Sequence, residues 1–355
     1  MILMDYIKEQ SSLIEHALED YREVVAPLAE KISARGTDGI VIIASGTSKN
    51  ASYAASCFME KLLQIPVRVF ASSKEIYCVT DKTTFLYVSQ GGCSTNTIAA
   101  IKRNESLSDF SVSITGNKKG KTNDMCEAYL EIPCGEENVG PKTKGYTLTV
   151  LLLYILSLEI GRKNGTVSES EAEKIYSVLS TVPKSMNENV ENSIAWCQRN
   201  IDGLSRMKCA YIAGKGLCEF IAYEGALKIM ETLLIPSSGY EIEEYMHGPS
   251  CSLSDVVSGF YMLPSRDDKD YARILSLAGY HRNISSDVFV FSDSFSEDGR
   301  DLVLKTSGEW YTAPFEFIIP YQVVSDIIPE HLGIEGEGSK HFAALDRILG
   351  VKDRK

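Results

Sequence analysis

The chain has 355 residues, of which 44% are hydrophobic and 24% are charged. This length and composition are typical of a globular protein with about two domains and a large core. The 48 acidic residues outnumber the 36 basic ones, and no block of basic residues occurs. Because nucleic acids are bound by basic surfaces, we expect no nucleic-acid partner. An anionic ligand would have to be held locally, by backbone N–H groups, hydroxyls and a few lysines.

The N-terminus, the longest apolar stretch and the cysteines indicate a cytoplasmic protein without a membrane partner. The opening residues, MILMDYIKEQ, do not contain the long apolar core of a signal peptide. The longest apolar stretch, residues 147–160, is too short and too Thr-rich to span a bilayer, so we expect a buried helix there. The nine cysteines have no CxxC or Cys/His ligand spacing, which favours free thiols over disulfides or zinc.

Apolar segments along the chain alternate between helical and strand-like patterns. The first, residues 5–32, predicts one or two amphipathic helices. Strands are predicted at residues 39–44, 66–71, 84–88, 110–115, 129–133, 209–213, 257–263, 287–292 and 315–320, and helices at 51–63, 95–103, 147–159 and 218–235. Apolar strands that alternate with helices indicate an α/β fold with parallel sheets covered on both faces.

Two segments of the sequence share one layout. Residues 40–63, IVIIASGTSKNASYAASCFMEKLL, and residues 209–234, CAYIAGKGLCEFIAYEGALKIMETLL, each give a strand, a Gly-containing turn and a helix. We interpret them as two copies of one α/β unit. The predicted organisation is an N-terminal helical segment (1–35), a first α/β domain (36–165), a helical connection (166–205), a second α/β domain (206–334) and a C-terminal tail (335–355).

Three predicted strand-to-helix turns carry small or polar groups: residues 45–48, residues 89–97 and the sequence Gly214-Lys215-Gly216. In open parallel sheets, ligands bind beyond the carboxyl ends of the strands, where a helix N-terminus suits a phosphate. The alternative is ordinary helix capping, since Ser and Thr are common N-caps. The turns fit neither the Walker A nor the GxGxxG pattern, so a nucleotide is not the expected ligand.

The predicted helix at 218–235 carries charges on one stripe, because Glu224, Lys228 and Glu231 stand at i, i+4 and i+7. A solvated stripe with an i,i+4 ion pair is one interpretation. The rest of this helix is apolar, which favours a buried helix whose stripe lines a cleft and whose Glu transfers a proton. His247 follows before a Gly-Pro turn, where a lone histidine is usually an ordinary surface residue.

Five segments in the same order resemble motifs of the double SIS (sugar isomerase) family, in particular the isomerase half of glucosamine-6-phosphate synthase and the fructosamine-6-phosphate (Amadori) deglycases. They are MDYIKEQ, ASGTS, VSQGGCSTNT, EGALKIMET and YMHGP, beginning at residues 4, 44, 88, 224 and 245. The resemblance covers nearly the whole chain. It implies two SIS domains, each a parallel sheet flanked by helices in a flavodoxin-like three-layer sandwich.

The resemblance also implies ligands and partners. The ligand would be a sugar phosphate, and no metal or organic cofactor is required. The residues implied to hold the phosphate are Ser48, Ser89, Gln90 and Ser94, and those implied to contact the sugar are Gly46, Thr47, Gly91 and Lys142. A homodimer is implied, because the family's equivalent of His247 opens the sugar ring in the neighbouring subunit's site.

The charged helix would carry the chemistry that the resemblance implies. Glu231 would move a proton between C1 and C2 of the sugar, Lys228 would assist at the C2 oxygen, and Glu224 would orient both groups. In the synthase, a lysine of the C-terminal tail engages the open-chain sugar. The corresponding residue here is open among Lys340, His341 and Lys352.

Departures from the family motifs decide the expected reaction. Gly91, Cys93 and Ser94 stand where the family loop has Ser, Glu and Thr, and Lys142 replaces a serine that touches the sugar. No glutaminase domain is expected, which argues against amination by glutamine. We therefore predict a deglycase that cleaves a 6-phosphorylated ketosamine to glucose 6-phosphate and an amine or amino acid. The alternatives are a plain aldose–ketose isomerase, a deaminase of amino-sugar phosphates, or a non-catalytic phosphosugar-binding regulator.

Overall fold

A computed structural model describes residues 3–77, 79–294, 296 and 298–353. The chain forms two compact units, each built from several stretches of sequence. Unit I comprises Ser12–Asn138, Lys144–Ser180 and His341–Lys355, and unit II comprises Met1–Ser11, Val139–Thr143 and Thr181–Lys340.

Unit I is built around a parallel sheet of five strands. The strands are β1 (Ile40–Ala44), β2 (Val67–Ala71), β3 (Thr84–Val88), β4 (Ser111–Thr115) and β5 (Ala128–Glu131), in the order β2-β1-β3-β4-β5. The helices are α1 (Leu3–Ala34, whose first turns belong to unit II), α2 (Thr47–Leu63), α3 (Thr95–Asn104), α4 (Lys144–Asn164) and α5 (Glu169–Leu179), with a short 3-10 helix at Lys121–Met125. This strand order is that of flavodoxin-like folds.

Both faces of the sheet in unit I are covered, which explains why β1 and β3 are buried at every position. On one face, Ile43 and Tyr87 pack against Ala100 of α3. On the other face lie α2 and α4, whose Phe58 and Tyr154 rings stack with their centroids 3.9 Å apart. Alternate residues of each strand therefore face opposite helical layers.

Helix α4 is long and apolar enough, by length and composition, to cross a membrane, and its apolar window is entirely buried in the protein. The prediction of a buried helix at residues 147–160 is therefore confirmed.

Unit II repeats the architecture of unit I. Its strands are β6 (Cys209–Gly214), β7 (Ser237–Glu241), β8 (Val257–Met262), β9 (Val288–Ser292) and β10 (Leu302–Val303), in the order β10-β9-β8-β6-β7 with all neighbours parallel. Its helices are α6 (Val182–Arg199), α7 (Ile201–Ser205), α8 (Leu217–Leu233), α9 (Ile242–Met246), α10 (Tyr271–Arg282), α11 (Ala313–Glu316) and α12 (Ile319–Leu332), and α13 (Glu337–Leu349) continues from unit II into unit I. Read from β7, the order is second, first, third, fourth, fifth, as in unit I. The predicted duplication of one α/β unit is confirmed.

One predicted strand is wrong. Residues 315–320 form the end of α11 and the start of α12 instead. The run FEFIIP is apolar because these helices are buried on all sides, and a short apolar run does not distinguish a buried strand from a buried helix. Pro314 and Pro320 stand in the first turns of the two helices, where proline is tolerated.

Candidate active site

Two polar turns leave neighbouring strands at the same edge of the sheet in unit I. Ala44 and Val88, the last residues of β1 and β3, are directly paired, so Ser45 and Ser89 begin adjacent turns. After β1, Gly46 takes a φ of 57° in the left-handed region that favours glycine, and α2 begins at the next residue. The helix predicted at 51–63 thus begins four residues earlier, and Thr47 and Ser48 lie in its first turn.

The hydroxyl loop, residues 89–94, joins β3 to α3. Ser89 is buried and its hydroxyl donates to Ser94 Oγ at 3.2 Å. Gly92 has a φ of 61°, and a Cβ there would lie 2.6 Å from the Gly120 Cα, so only glycine fits. Ser94 is the N-cap residue of α3, yet its side chain makes no capping hydrogen bond. Ordinary capping therefore does not explain the Ser94 hydroxyl.

The two turns are tied together by side chains that the sequence analysis did not single out. Asn96 Nδ2 donates to Ser45 Oγ at 2.9 Å, and Ser45 Oγ donates to Ser72 Oγ at 3.1 Å. Ser72 Oγ and Thr97 Oγ1 are 3.3 Å apart, within hydrogen-bonding distance. This chain of short polar groups holds the start of α3 against the turn that follows β1.

Gln90 is fixed by a carboxylate from a distant part of the sequence. Its Nε2 donates to Oε2 of the buried Glu137 at 3.0 Å and lies 3.8 Å from Cys134 Sγ. Glu137 Oε2 also accepts from Gly145 N at 3.2 Å, and a Cβ on Gly145 would collide with the Gln90 amide. Since a carboxylate only accepts, Nε2 must face Glu137, and Oε1 is the amide atom that can serve a ligand.

Cys134, which adjoins Gln90, is a protonated thiol at neutral pH. Burial raises its pKa to about 11, and the charge of Glu137 adds to the increase. The thiol therefore acts as a packing group and weak hydrogen-bond partner rather than as a nucleophile.

The tail, residues 350–353, lies on the hydroxyl loop. Val351 O accepts from Thr95 N at 3.1 Å, and Lys352 forms an isolated antiparallel bridge with Ser94. Lys352 Nζ donates to Ser94 Oγ at 3.1 Å. Of the three tail residues that the sequence left open, Lys352 reaches the loop, whereas Lys340 pairs with Glu337 and His341 is exposed.

The carboxylate–lysine–carboxylate row lies on α8 in unit II. Lys228 Nζ is 2.6 Å from Glu231 Oε2 and 3.4 Å from Glu224 Oε1. The Lys228 and Glu224 side chains are 0% and 1% exposed, and Glu231 is 35% exposed. A solvated stripe is therefore excluded, and Glu231 is the member of the row that opens to solvent. Among the described residues, only Lys228 binds the Glu231 carboxylate, at Oε2, which leaves Oε1 able to take a proton.

Close packing around α8 positions this row. A Cβ on Gly225 would lie 2.8 Å from the ring of Tyr321 on α12, and one on Gly239 would lie 2.5 Å from the Ala222 backbone. A Cβ on Gly338, in the first turn of α13, would collide with the Glu231 carbonyl oxygen. The backbone of α8 is thus fixed by neighbours that approach at its small residues.

The other residues of unit II that the sequence analysis singled out are Lys142, His247 and the Gly-Lys-Gly turn. Lys142 Nζ donates to Val139 O at 2.7 Å, and His247 is exposed at the end of α9. In the Gly-Lys-Gly turn, Lys215 Nζ pairs with Asp268 at 2.8 Å and Asp270 at 2.6 Å. These carboxylates neutralise the lysine, so this turn is not an anion site.

In the part of the chain that the structure describes, no group of three or more His, Cys, Asp or Glu side chains is arranged to hold a metal ion. The geometry instead offers a hydroxyl-lined loop at a helix N-terminus and a buried charged row with one accessible carboxylate. Hydroxyls and helix N–H groups suit a phosphate, and an accessible carboxylate suits proton transfer.

No protein-family model matches the chain. Known proteins of similar sequence include aminotransferases that are longer than this chain. The glutamine–fructose-6-phosphate aminotransferase (isomerizing) of Thermococcus kodakarensis is 26% identical over 332 residues, which cover 91% of this chain and 54% of that protein. That of Cyanidium caldarium is 31% identical over 222 residues, which cover 59% of this chain and 35% of that protein. The chain thus spans about half the length, or less, of these curated relatives.

Solved structures match over nearly the whole chain. A Clostridium difficile 630 protein described as a phosphosugar isomerase is 27% identical, with a TM-score of 0.86 and 94% of each chain covered. The C-terminal domain of glucosamine-fructose-6-phosphate aminotransferase from Francisella tularensis has a TM-score of 0.81 at 21% identity, with 93% of this chain and 96% of that chain covered. The two flavodoxin-like sheets and these similarities are together those expected of the SIS (sugar isomerase) family.

Proposed function

We propose that the chain is an enzyme of the phosphosugar isomerase kind that cleaves a 6-phosphorylated ketosamine to glucose 6-phosphate and an amine or amino acid. The observation that carries the proposal is the row on α8, in which a wholly buried Lys228 pairs with Glu231 at 2.6 Å while Glu231 remains 35% exposed. A buried ion pair is costly to keep for stability alone, so a row of this kind favours a chemical role.

The phosphate would be held by the hydroxyl loop and the turn after β1. Ser48, Ser89 and Ser94 supply hydroxyls, and the first turns of α2 and α3 supply N–H groups with a partial positive charge. Gln90 presents Oε1 rather than an N–H group, which suits an acceptor for a sugar hydroxyl better than a donor to the phosphate.

The reaction would be a proton transfer followed by hydrolysis. Glu231 would remove a proton from C1 of the ketosamine, which carries the amine, while Lys228 stabilises the negative charge that develops on the C2 oxygen. Return of the proton to C2, together with loss of the N–H proton and protonation of the C2 oxygen, gives the imine of glucose 6-phosphate at C1. Water adds to C1, and the C1–N bond breaks to release the amine. Glu224 would hold the Lys228 ammonium in place from the buried end of the row.

The choice of a ketosamine rests on Lys142. At this position the resembling family has a serine that touches the sugar, and an ammonium group there would suit the carboxylate of a sugar-linked amino acid. Lys142 Nζ has its position fixed by Val139 O at 2.7 Å. Replacement by serine is expected to raise KM for amino-acid ketosamines and to leave the Kd for fructose 6-phosphate unchanged.

We further propose that the protein acts in the cytoplasm as a homodimer to which each chain contributes His247 for its partner's site. The exposure of His247 in the single chain supports this assignment. Mixing inactive Glu231→Gln and His247→Ala chains should restore activity in the mixed dimers if the two groups come from different chains. No restoration in mixed dimers of proven composition would refute the sharing of His247.

The substrate class is tested by incubating the purified protein with a panel of phosphosugars and measuring glucose 6-phosphate release. We expect turnover of 6-phosphorylated ketosamines and none of their unphosphorylated counterparts. Turnover of fructose 6-phosphate alone would indicate a plain isomerase, and ammonia release from glucosamine 6-phosphate would indicate a deaminase. Binding of phosphosugars without any turnover would indicate a regulator and refute the enzyme.

A further inference from the structure

We propose that Lys352, in the tail, is the cation that binds the substrate phosphate at the hydroxyl loop. The inference rests on the proposed function, because it assumes a phosphosugar substrate. It adds a residue from the far end of the chain to a loop that carries no charged side chain of its own.

Main-chain contacts fix the tail on the loop within unit I. Val351 O accepts from Thr95 N at 3.1 Å, Asp353 N donates to Cys93 O at 2.8 Å, and Gly350 O accepts from Thr95 Oγ1 at 2.6 Å. These bonds flank Lys352 on both sides, so its side chain starts from a defined position. Lys352 N also donates to Asp346 Oδ1 at 2.8 Å, which joins the tail to the end of α13.

The charge balance at the loop singles out Lys352. Residues 44–48 and 88–97 contain no lysine or arginine, although a sugar phosphate is a dianion and the whole chain has a net charge of −12. Lys352 Nζ contacts Ser94 Oγ at 3.1 Å and makes no ion pair with the residues that the structure describes. The neighbouring Lys121 is neutralised by Asp353 at 2.8 Å. Lys352 is thus a cation beside the loop with two N–H donors left for an anion.

The position of Lys352 indicates that it binds the phosphate and does not attack the sugar carbonyl. Its ammonium touches Ser94, one of the hydroxyls assigned to the phosphate. The phosphate on C6 and the reacting C1 and C2 lie at opposite ends of the six-carbon chain. An ammonium fixed at the phosphate end therefore cannot also form an imine at C2.

The test compares Lys352→Met, Lys352→Arg and the control Lys118→Met, a surface lysine of unit I that pairs with Glu131. Calorimetric titration with inorganic phosphate should show about 10- to 100-fold weaker binding by Lys352→Met, the range of a lost charge-assisted hydrogen bond. Lys352→Arg should retain most of the affinity, and Lys118→Met all of it. The melting temperature of each variant checks that it is folded.

Other outcomes separate this inference from the proposed function. Unchanged phosphate affinity in Lys352→Met, together with weakened affinity in Ser89→Ala, would overturn the role of Lys352 and leave a phosphosugar enzyme in place. A borohydride-trapped adduct between Lys352 and the substrate would also overturn it. If the wild-type protein binds neither phosphate nor any phosphosugar, the proposed function itself fails, and the role of Lys352 fails with it.

Discussion

Replacing Lys228 by Met tests the buried row on α8 most severely. The Lys228 and Glu224 side chains are 0% and 1% exposed, so removal of the ammonium leaves a carboxylate that water cannot reach. Glu231 is 35% exposed and can be hydrated, so the main cost comes from Glu224. Breaking a buried pair in this way costs about 3–5 kcal/mol, and we expect Lys228→Met to lower the free energy of unfolding by this amount.

Urea unfolding followed by the fluorescence of the two tryptophans, Trp196 and Trp310, which both belong to unit II, gives the measurement. The matched control is Lys215→Met, since Lys215 is 32% exposed and its loss should cost no more than about 1 kcal/mol. The double variant Glu224→Gln/Lys228→Met leaves no buried charge in this row and should recover most of the lost stability. If Lys228→Met costs no more than Lys215→Met, the row is not a desolvated ion pair and the reasoning is refuted.

Three further variants test particular contacts. Gly145→Ala should push the Gln90 amide away and weaken phosphosugar binding about tenfold, while the unfolding free energy changes by less than about 1 kcal/mol; unchanged affinity would contradict the placement of Gln90. Gly225→Ala should cost about 1–3 kcal/mol by overpacking against the Tyr321 ring, 2.8 Å from the new Cβ, and equal urea midpoints would contradict this. Burial lowers the pKa of His281, so the unfolded chain binds the extra proton and stability should fall as pH decreases through the usual histidine range; the same pH dependence in His281→Asn would refute it.

Two neighbouring strands, β1 and β3, which precede the two polar turns of the site, could be predicted from the sequence to within one residue. Residues 84–88 form β3 as predicted, and the predicted strand at 39–44 begins one residue later as β1. Both are buried on two faces, so they read as continuous apolar runs that end at polar turns. Local composition and fold agree at these strands.

Elsewhere the local pattern does not determine the structure. The strand β7 has the sequence SSGYE, which lacks an apolar run because it lies at the sheet edge and is only partly buried. Residues 315–320 are predicted to be a strand because they form an apolar run. They belong instead to helices that are buried on all sides. In both segments, the degree of burial in the fold determines how apolar the sequence is, so the apolar pattern alone does not distinguish strand from helix.

Some residues of the candidate site could be predicted from local sequence, and others could not. Glu224, Lys228 and Glu231 could be grouped from the sequence because helical spacing alone places them on one stripe. Glu137 and Lys352 could not be placed, because they meet Gln90 and Ser94 across 47 and 258 residues of sequence. No local pattern encodes such contacts, which depend on where β5 and the tail lie in the folded unit.

The most direct test of Glu231 as the catalytic base compares the wild-type protein with Glu231→Gln. The quantity measured is the incorporation of solvent deuterium into the product. In D2O, the wild-type protein should place deuterium on C2 of the glucose 6-phosphate that it releases from a phosphorylated ketosamine, as measured by NMR. Glu231→Gln should slow this incorporation by about 10²- to 10⁴-fold, the usual contribution of a general base, with little change in substrate affinity. Incorporation at the wild-type rate in Glu231→Gln would contradict the assignment of Glu231 as the base.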